Sequence, residues 1–265
     1  FKSKYFESDY NGWKYTPRIG AVEQVVDKLA PVTFRADATD HLDLPPLTVV
    51  DQWFDLPPSA RRAYDKLEQE FQGVIEAGGT LGDFEDENEF GEVEGAPPSS
   101  AAVLKNKLRQ ICAGFLYYHE EDEDGLRVGE RQIQKFHDTK FEMHNDLLGE
   151  LMGKQLLTVY GFKYELERLG ETPYLGGGVK DSDANRWIAE WNEGKISRLA
   201  LHPASAAHGL NLQTGGAHHL AFLTLPWSNN RYRQVLGRLQ RLGQKNPVIV
   251  HRFLATDTGD ADVAQ

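Results

Sequence analysis

The chain has 265 residues, with 40 Asp and Glu against 29 Lys and Arg, and a formal net charge of −11 at pH 7. A hydrophobic share of 40% with 26% charged residues is that of a soluble globular protein, which excludes a collagenous or wholly disordered chain. Its single cysteine, Cys112, excludes an internal disulfide and fits a reducing cytoplasm; no apolar run approaches the ~20 residues that span a bilayer, so no membrane partner is expected.

The chain opens on Phe1, has no signal-peptide pattern, and holds Met143 and Met152 as its only methionines, which reads as a piece of a longer protein. After Pro57-Pro58-Ser59, the residues Ala60, Tyr64, Leu67, Phe71 and Val74 recur at helical spacing. Residues 76–94 hold eight acids and no base, a composition that cannot build a core and predicts a mobile loop. Leu104, Leu108, Ile111, Phe115 and Tyr118 then repeat the helical pattern, with Cys112 inside it as a small buried hydrophobe. The run Glu120-Glu121-Asp122-Glu123-Asp124-Gly125 is expected to end that helix. It does not make a calcium loop, because the twelfth position, where a bidentate Glu is required, is Arg131.

The texture changes near Leu151, where a domain boundary is expected. Short apolar runs at 156–160, 199–201, 220–225 and 248–254 alternate with amphipathic stretches at 163–169, 183–192 and 229–242. That alternation predicts an α/β fold, a parallel sheet covered by helices, with ligands at the carboxyl ends of its strands. Gly176-Gly177-Gly178 reads as a flexible turn, since no Lys-Ser/Thr follows to make a phosphate loop. His202, His218 and His219 lack cysteine or acid partners at metal spacing, so no metal site is expected.

Residues 196–256 carry seven Lys or Arg and no Asp or Glu, an unusual stretch in so acidic a chain and one suited to an anion. If 229–242 is one helix capped by Ser228 or Asn229, then Tyr232, Val235, Leu236, Leu239 and Leu242 form its apolar stripe. Arg231, Gln234, Arg238 and Arg241 form an adjoining polar face, and Gly243 closes the helix. Guanidinium stays protonated and offers a planar fork of donors matched to phosphate oxygens. An isolated Arg-x-x-Arg pair would read as a solvated face; flanking Gln and Gly at fixed offsets favour the phosphate reading.

The run Gln234-x-x-Gly237-Arg238-x-x-Arg241-x-Gly243-Gln244 resembles the sixth motif of Swi/Snf-type superfamily-two helicases. Ser205-Ala206-Ala207-His208-Gly209-Leu210-Asn211-Leu212-Gln213 is similar to the fifth motif, with Ala206 and Ala207 where the family commonly has glycines. Val159-Tyr160-Gly161-Phe162, with Leu166 and Leu169, resembles the fourth; Pro226-Trp227-Ser228 lies where the family has Trp-Asn-Pro. Residues 186–194, with Trp191 in the aromatic place, resemble a further family helix. Asp43-Leu44-Pro45-Pro46 and Tyr64-Asp65-Lys66-Leu67 resemble the segment joining the two motor lobes, and Lys107-Leu108-Arg109-Gln110-Ile111-Cys112 a helix protruding from the second lobe. The phrasing is most similar to compact bacterial or phage members.

This resemblance implies a RecA-like parallel sheet with flanking helices over residues 151–256, followed by a tail at 257–265. Before it would come the tail of a first lobe and an inter-lobe linker (1–50), then a helical protrusion region with the acidic loop (51–150). It implies the C-terminal lobe of an ATP-dependent translocase on double-stranded DNA, partnered by an N-terminal RecA-like lobe. Arg238 and Arg241 would be its catalytic arginines, and Gln234, Gly209 and Asn211 would contact or sense the nucleotide. Ser205, His208 and Lys163 would contact DNA phosphates. The chain has no Gly-x-x-x-x-Gly-Lys-Ser/Thr and no Asp-Glu-x-His, so ATP and Mg2+ would be held mainly by the first lobe. By itself the chain is expected to be inactive. The alternatives are a stand-alone, non-catalytic module that binds nucleic acid or a partner, and a fragment of an RNA helicase.

Overall fold

The leucine- and valine-rich runs after residue 155 become neighbouring strands of one sheet in the computed structural model, which describes residues 2–8, 15–32, 44–76, 100–121 and 127–264. The chain divides into two units, Phe1–Asp43 and Leu44–Gln265. In the first, β1 (Phe6–Ser8) pairs antiparallel with β2 (Tyr15–Pro17), and a helix follows at Ala21–Leu29.

The second unit is built on a six-stranded sheet ordered β3-β10-β9-β6-β8-β7. Its strands are β3 (Leu47–Phe54), β6 (Leu156–Val159), β7 (Tyr174–Leu175), β8 (Arg198–Leu201), β9 (His219–Phe222) and β10 (Val248–Ala255), and every pairing is parallel. Leu157 stands level with Leu199 on one side and Leu220 on the other. All four residues of β6 are buried, as expected of a strand covered on both faces. On one face Leu157, Leu220 and Val250 pack against Trp191, Val235 and Leu239. On the other, Leu156, Ala221 and Phe253 meet Phe141 and Leu147 of the Thr139–Glu150 helix. The expected α/β sheet with flanking helices is therefore present.

The structure departs from the sequence pattern in two places, at β3 and at the end of the Ser100–Cys112 helix. β3 lies in what reads as linker and protrusion, yet it pairs with β10 from Leu47↔Val248 to Phe54↔Ala255 and forms one edge of the sheet. Residues 44–265 form a single unit. The partner of β3 lies some two hundred residues away, beyond the reach of local periodicity. The Ser100–Cys112 helix also stops short of Phe115 and Tyr118. Gly114, at φ +95°, turns the chain where a Cβ would fall 2.1 Å from the His137 carbonyl oxygen. Phe115–Glu121 (β4) then pairs antiparallel with Arg127–Lys135 (β5). Residues 77–99, most of the expected acidic loop, lie outside the described residues, as do 122–126. Cys112 is buried, and burial pushes its thiol up to about 12, so it packs as a hydrophobe.

The segment after β10 is tied down by two helices. Lys140 Nζ lies 2.8 Å from Asp260 Oδ2, with side-chain exposures of 2% and 4%. Tyr64 Oη, from the Pro58–Glu76 helix, accepts the Gly259 N–H at 2.9 Å, and Arg61 donates to the Thr256 carbonyl at 2.7 Å. Removing one member of a buried pair strands the other charge. Lys140→Met should lower the unfolding free energy in urea by about 3–5 kcal/mol, and Lys140→Met with Asp260→Leu should recover most of that loss.

Three buried histidines are held neutral. Burial pushes His144, His202 and His219 down to about 4 each, and His144 shares a 2.9 Å hydrogen bond with Thr158 Oγ1. The unfolded chain takes up these protons near pH ~6.5. Between that value and about 4 the unfolded state binds protons that the native state refuses, so stability falls as pH drops through this window and is full above it. The melting temperature should be flat above neutrality and decline from ~6.5 downward, and His144→Gln should shallow the slope.

Candidate functional site

The arginine run is not one helix. Asn229–Leu236 is helical, capped as expected by Ser228, whose Oγ accepts the Arg231 N–H at 3.4 Å. Beyond Leu236 the chain tightens into turns, with Arg238 N–H on the Val235 carbonyl at 3.0 Å and Leu239 N–H on Leu236 at 3.1 Å. Arg238 and Arg241 therefore sit on turns rather than on a helix face. Leu239 still reaches the core, while Leu242 is 65% exposed and has left the apolar stripe.

These turns lie against the loop that follows β8. That loop begins with a 3-10 turn at Pro203–His208, closed by Gly209 at φ +67°, and then runs toward the start of β9. The two segments are laced together. The Leu212 N–H bonds the Arg238 carbonyl at 3.3 Å, Gln213 Nε2 bonds the Leu242 carbonyl at 3.3 Å, and Gln244 Nε2 bonds the Ala217 carbonyl at 2.7 Å. Ala206 is fully buried in the core beneath the loop.

The lacing brings Arg238, Arg241 and Asn211 together. Arg241 Nη1 donates to Asn211 Oδ1 at 2.6 Å and lies 3.5 Å from the Leu210 carbonyl, to which Arg238 Nη1 donates at 3.2 Å. Neither arginine makes an ion pair among the described residues. Arg238 Nε is buried with no partner, and burial, then the neighbouring Arg241, lowers the pKa of Arg238. Gln234 is one turn earlier and bonds Asn230 Oδ1 at 3.4 Å, so it does not join the arginines.

Lys163 and Ser205 are elsewhere. Each lies four residues beyond the end of its strand, β6 and β8 respectively, and those ends are level at Val159↔Leu201, so both belong to the carboxyl edge of the sheet. Lys163 is exposed and Ser205 half-buried. The His208 side chain lies outside the described residues. The turn before Lys163 is fixed by Glu165, a fully buried carboxylate that accepts the N–H of Gly161 at 2.7 Å, that of Phe162 at 3.1 Å and the Thr224 hydroxyl at 2.6 Å. Burial raises its pKa against those bonds.

Some contributors escape sequence reading. Arg252 counts toward the acid-free stretch, but β3 brings Asp51 to it at 2.5 Å. Glu165 could have been found, because a Glu three residues into a helix commonly reaches back to the N-cap amide. A cavity of about 250 Å³ is lined by Tyr64, Leu104, Arg109, Cys112, Trp227 and Asp260 among others, and by none of the expected site residues. His202 caps the 3-10 turn and His219 stacks with His251, in keeping with packing roles; no metal-binding cluster occurs among the described residues.

No protein-family model matches the chain. The p41 protein of Acyrthosiphon pisum secondary endosymbiont phage 1 is 32% identical over 251 residues, covering 91% of this chain and 48% of that protein. Among solved structures, the Sulfolobus solfataricus SWI2/SNF2 ATPase core in complex with dsDNA superposes with a TM-score of 0.56 at 19% identity, over 94% of this chain and 50% of that one. The C-terminal part of the Fun30 ATPase domain superposes with a TM-score of 0.55 at 16% identity, over 84% of this chain and 89% of that one. The chain thus spans about half the length of p41 and of the Sulfolobus core.

Arg238 combines a desolvated cation, an unpartnered Nε and a like-charged neighbour. Such a group is retained at a cost to stability. Arg238→Met should melt no lower than the unmodified chain and be more stable by up to about 1 kcal/mol in calorimetry.

Proposed function

We propose that this chain, which has the fold of the C-terminal half of a SWI2/SNF2 ATPase core, is the second lobe of an ATP-driven translocase on double-stranded DNA. The observation that carries this reading is the arginine pair. Two guanidiniums are held side by side by carbonyl and amide oxygens, with no acid on either among the described residues. Their repulsion and partial desolvation are relieved by an anion placed between them. A nucleotide phosphate fits that requirement better than a carboxylate, since each guanidinium can satisfy separate oxygens of one group.

In this reading ATP, held with Mg2+ mainly by an N-terminal lobe outside this chain, supplies the phosphoryl group on which charge shifts during hydrolysis. Arg238 and Arg241 place their donors against that charge. Asn211 orients Arg241, and Gly209 permits the turn that delivers Asn211. Gln234 supports the helix leading into the pair rather than touching the nucleotide. Lys163, Ser205 and His208 supply phosphate contacts along the carboxyl edge, each adding a salt-dependent increment to DNA affinity. The absence of a Walker lysine loop from the chain makes it inactive by itself.

The test is DNA-stimulated ATP hydrolysis by the full-length protein containing this chain. Arg241→Ala should lower kcat by about 10²- to 10³-fold with duplex affinity retained. Turnover within about threefold of normal would overturn the arginine assignment. Duplex binding without any ATPase in the full-length protein would instead favour a non-catalytic binding module, and stimulation by RNA alone an RNA helicase.

A further inference from the structure

We propose that Asn192 is a positioning residue for Arg241, acting through the backbone of Asn211; the proposal rests on the reading of Arg241 given above. Asn192 is the last residue of the Asp181–Asn192 helix, and its Nδ2 donates to the Asn211 carbonyl at 2.9 Å. The side chain of Asn211 then accepts from Arg241 Nη1 at 2.6 Å. Its neighbour Trp191, fully buried, donates Nε1 to the next carbonyl, that of Leu212, at 2.9 Å. Two consecutive residues at one helix end thus hold two consecutive carbonyls of the loop. With both carbonyls fixed, the peptide planes on either side of Leu212 cannot rotate freely, and the Asn211 side chain is committed toward the arginine.

The helix end is itself braced. Gln155 Nε2, just before β6, donates to the carbonyls of Trp191 at 2.7 Å and Ile196 at 3.0 Å. The loop returns so closely at Gly215 that a Cβ there would lie 2.7 Å from the Asn192 carbonyl oxygen and 2.9 Å from that of Trp191. Asn192 Oδ1 is buried with no hydrogen-bond partner. A buried carbonyl oxygen left unsatisfied is destabilising, so the side chain is not placed for its own comfort. Its one bond, through Nδ2, goes to the residue that holds Arg241. Arg241 is exposed and needs that hold, because a long flexible side chain otherwise spreads over many rotamers.

In the full-length protein, Asn192→Ala should lower kcat for DNA-stimulated ATP hydrolysis about tenfold, with KM for ATP changed less than about twofold. In an Arg241→Ala background the same change should do nothing further. Asn246→Ala serves as the control: Asn246 Nδ2 anchors the Gly216 carbonyl of the same loop at 3.1 Å, away from Asn211, and its loss should leave kcat unchanged. An unchanged kcat for Asn192→Ala, or equal losses with and without Arg241, overturns the proposal. Should Asn192→Ala fold poorly, Asn192→Ser, too short to reach the carbonyl, gives the same two tests. A measurement free of ATP keeps the two readings separate. Relaxation of the Arg241 Nε–Hε group by NMR in this chain should report an ordered side chain that becomes averaged in Asn192→Ala, and no change there sinks the proposal. If Arg241→Ala leaves turnover normal, the catalytic reading fails while the NMR result still judges the Asn192 contact.

Discussion

Lys140 and Asp260 meet almost entirely out of water, one from a helix under the sheet and the other from the short Gly259–Ala264 helix that follows β10. In such surroundings an ion pair tolerates little misalignment, because each charge has lost its hydration and relies chiefly on the other to replace it. Asp260 Oδ2 also takes the Ala255 N–H at 3.2 Å, which pins the end of β10 to the same point. Arg109 lies within the field of Asp260 and Glu165 and donates to the Leu225 carbonyl, fixing the segment after β9. From that segment the helix leading to the arginine turns departs. The site is thus the last link of a chain of constraints that starts at a buried charge pair.

The arginine pair differs electrostatically from several other cations of the protein. Arg252 is chelated by Asp51, Arg168 is paired with Asp138, and Lys195 with Glu193. In a chain with a formal charge of −11, acids are abundant enough to neutralise any exposed cation. Arg238 and Arg241 escape this because both segments that hold them lack acids and do so with carbonyls and amides. A dipole orients a guanidinium without cancelling its charge, so the pair stays available to an anion.

Much of the fold was legible along the chain. Strands β6, β8, β9 and β10 fall within a few residues of the apolar runs, and Ser228 caps its helix. The burial of Cys112 and the glycine turn after β7, with Gly178 at φ +80°, also follow from local chemistry. The misses share a cause. Phe115 and Tyr118 fit a helical repeat and end on a strand because Gly114 turns the chain first. The polar face drawn over residues 229–242 breaks because Leu236 is followed by short-range turn bonds that periodicity does not register. β3 is half-exposed, so it lacks the dense apolar signature of the central strands.

Of the expected site, the grouping of Arg238, Arg241 and Asn211 was legible only through the resemblance, since nothing in spacing links residues 30 positions apart. Asn192, Trp191 and Gln155 carried no signal, because an amide or indole on a helix end looks the same whether or not a loop returns to it. What the sequence by itself determined was every feature set by neighbours within one turn or one strand: element type, caps, apolar faces, and a stretch free of acids. What only the tertiary structure decided was which acid meets which base and which carbonyl meets which arginine. Those pairings depend on through-space distances of a few ångströms between segments far apart in the chain, and hydrogen bonds and ion pairs reach no further than that.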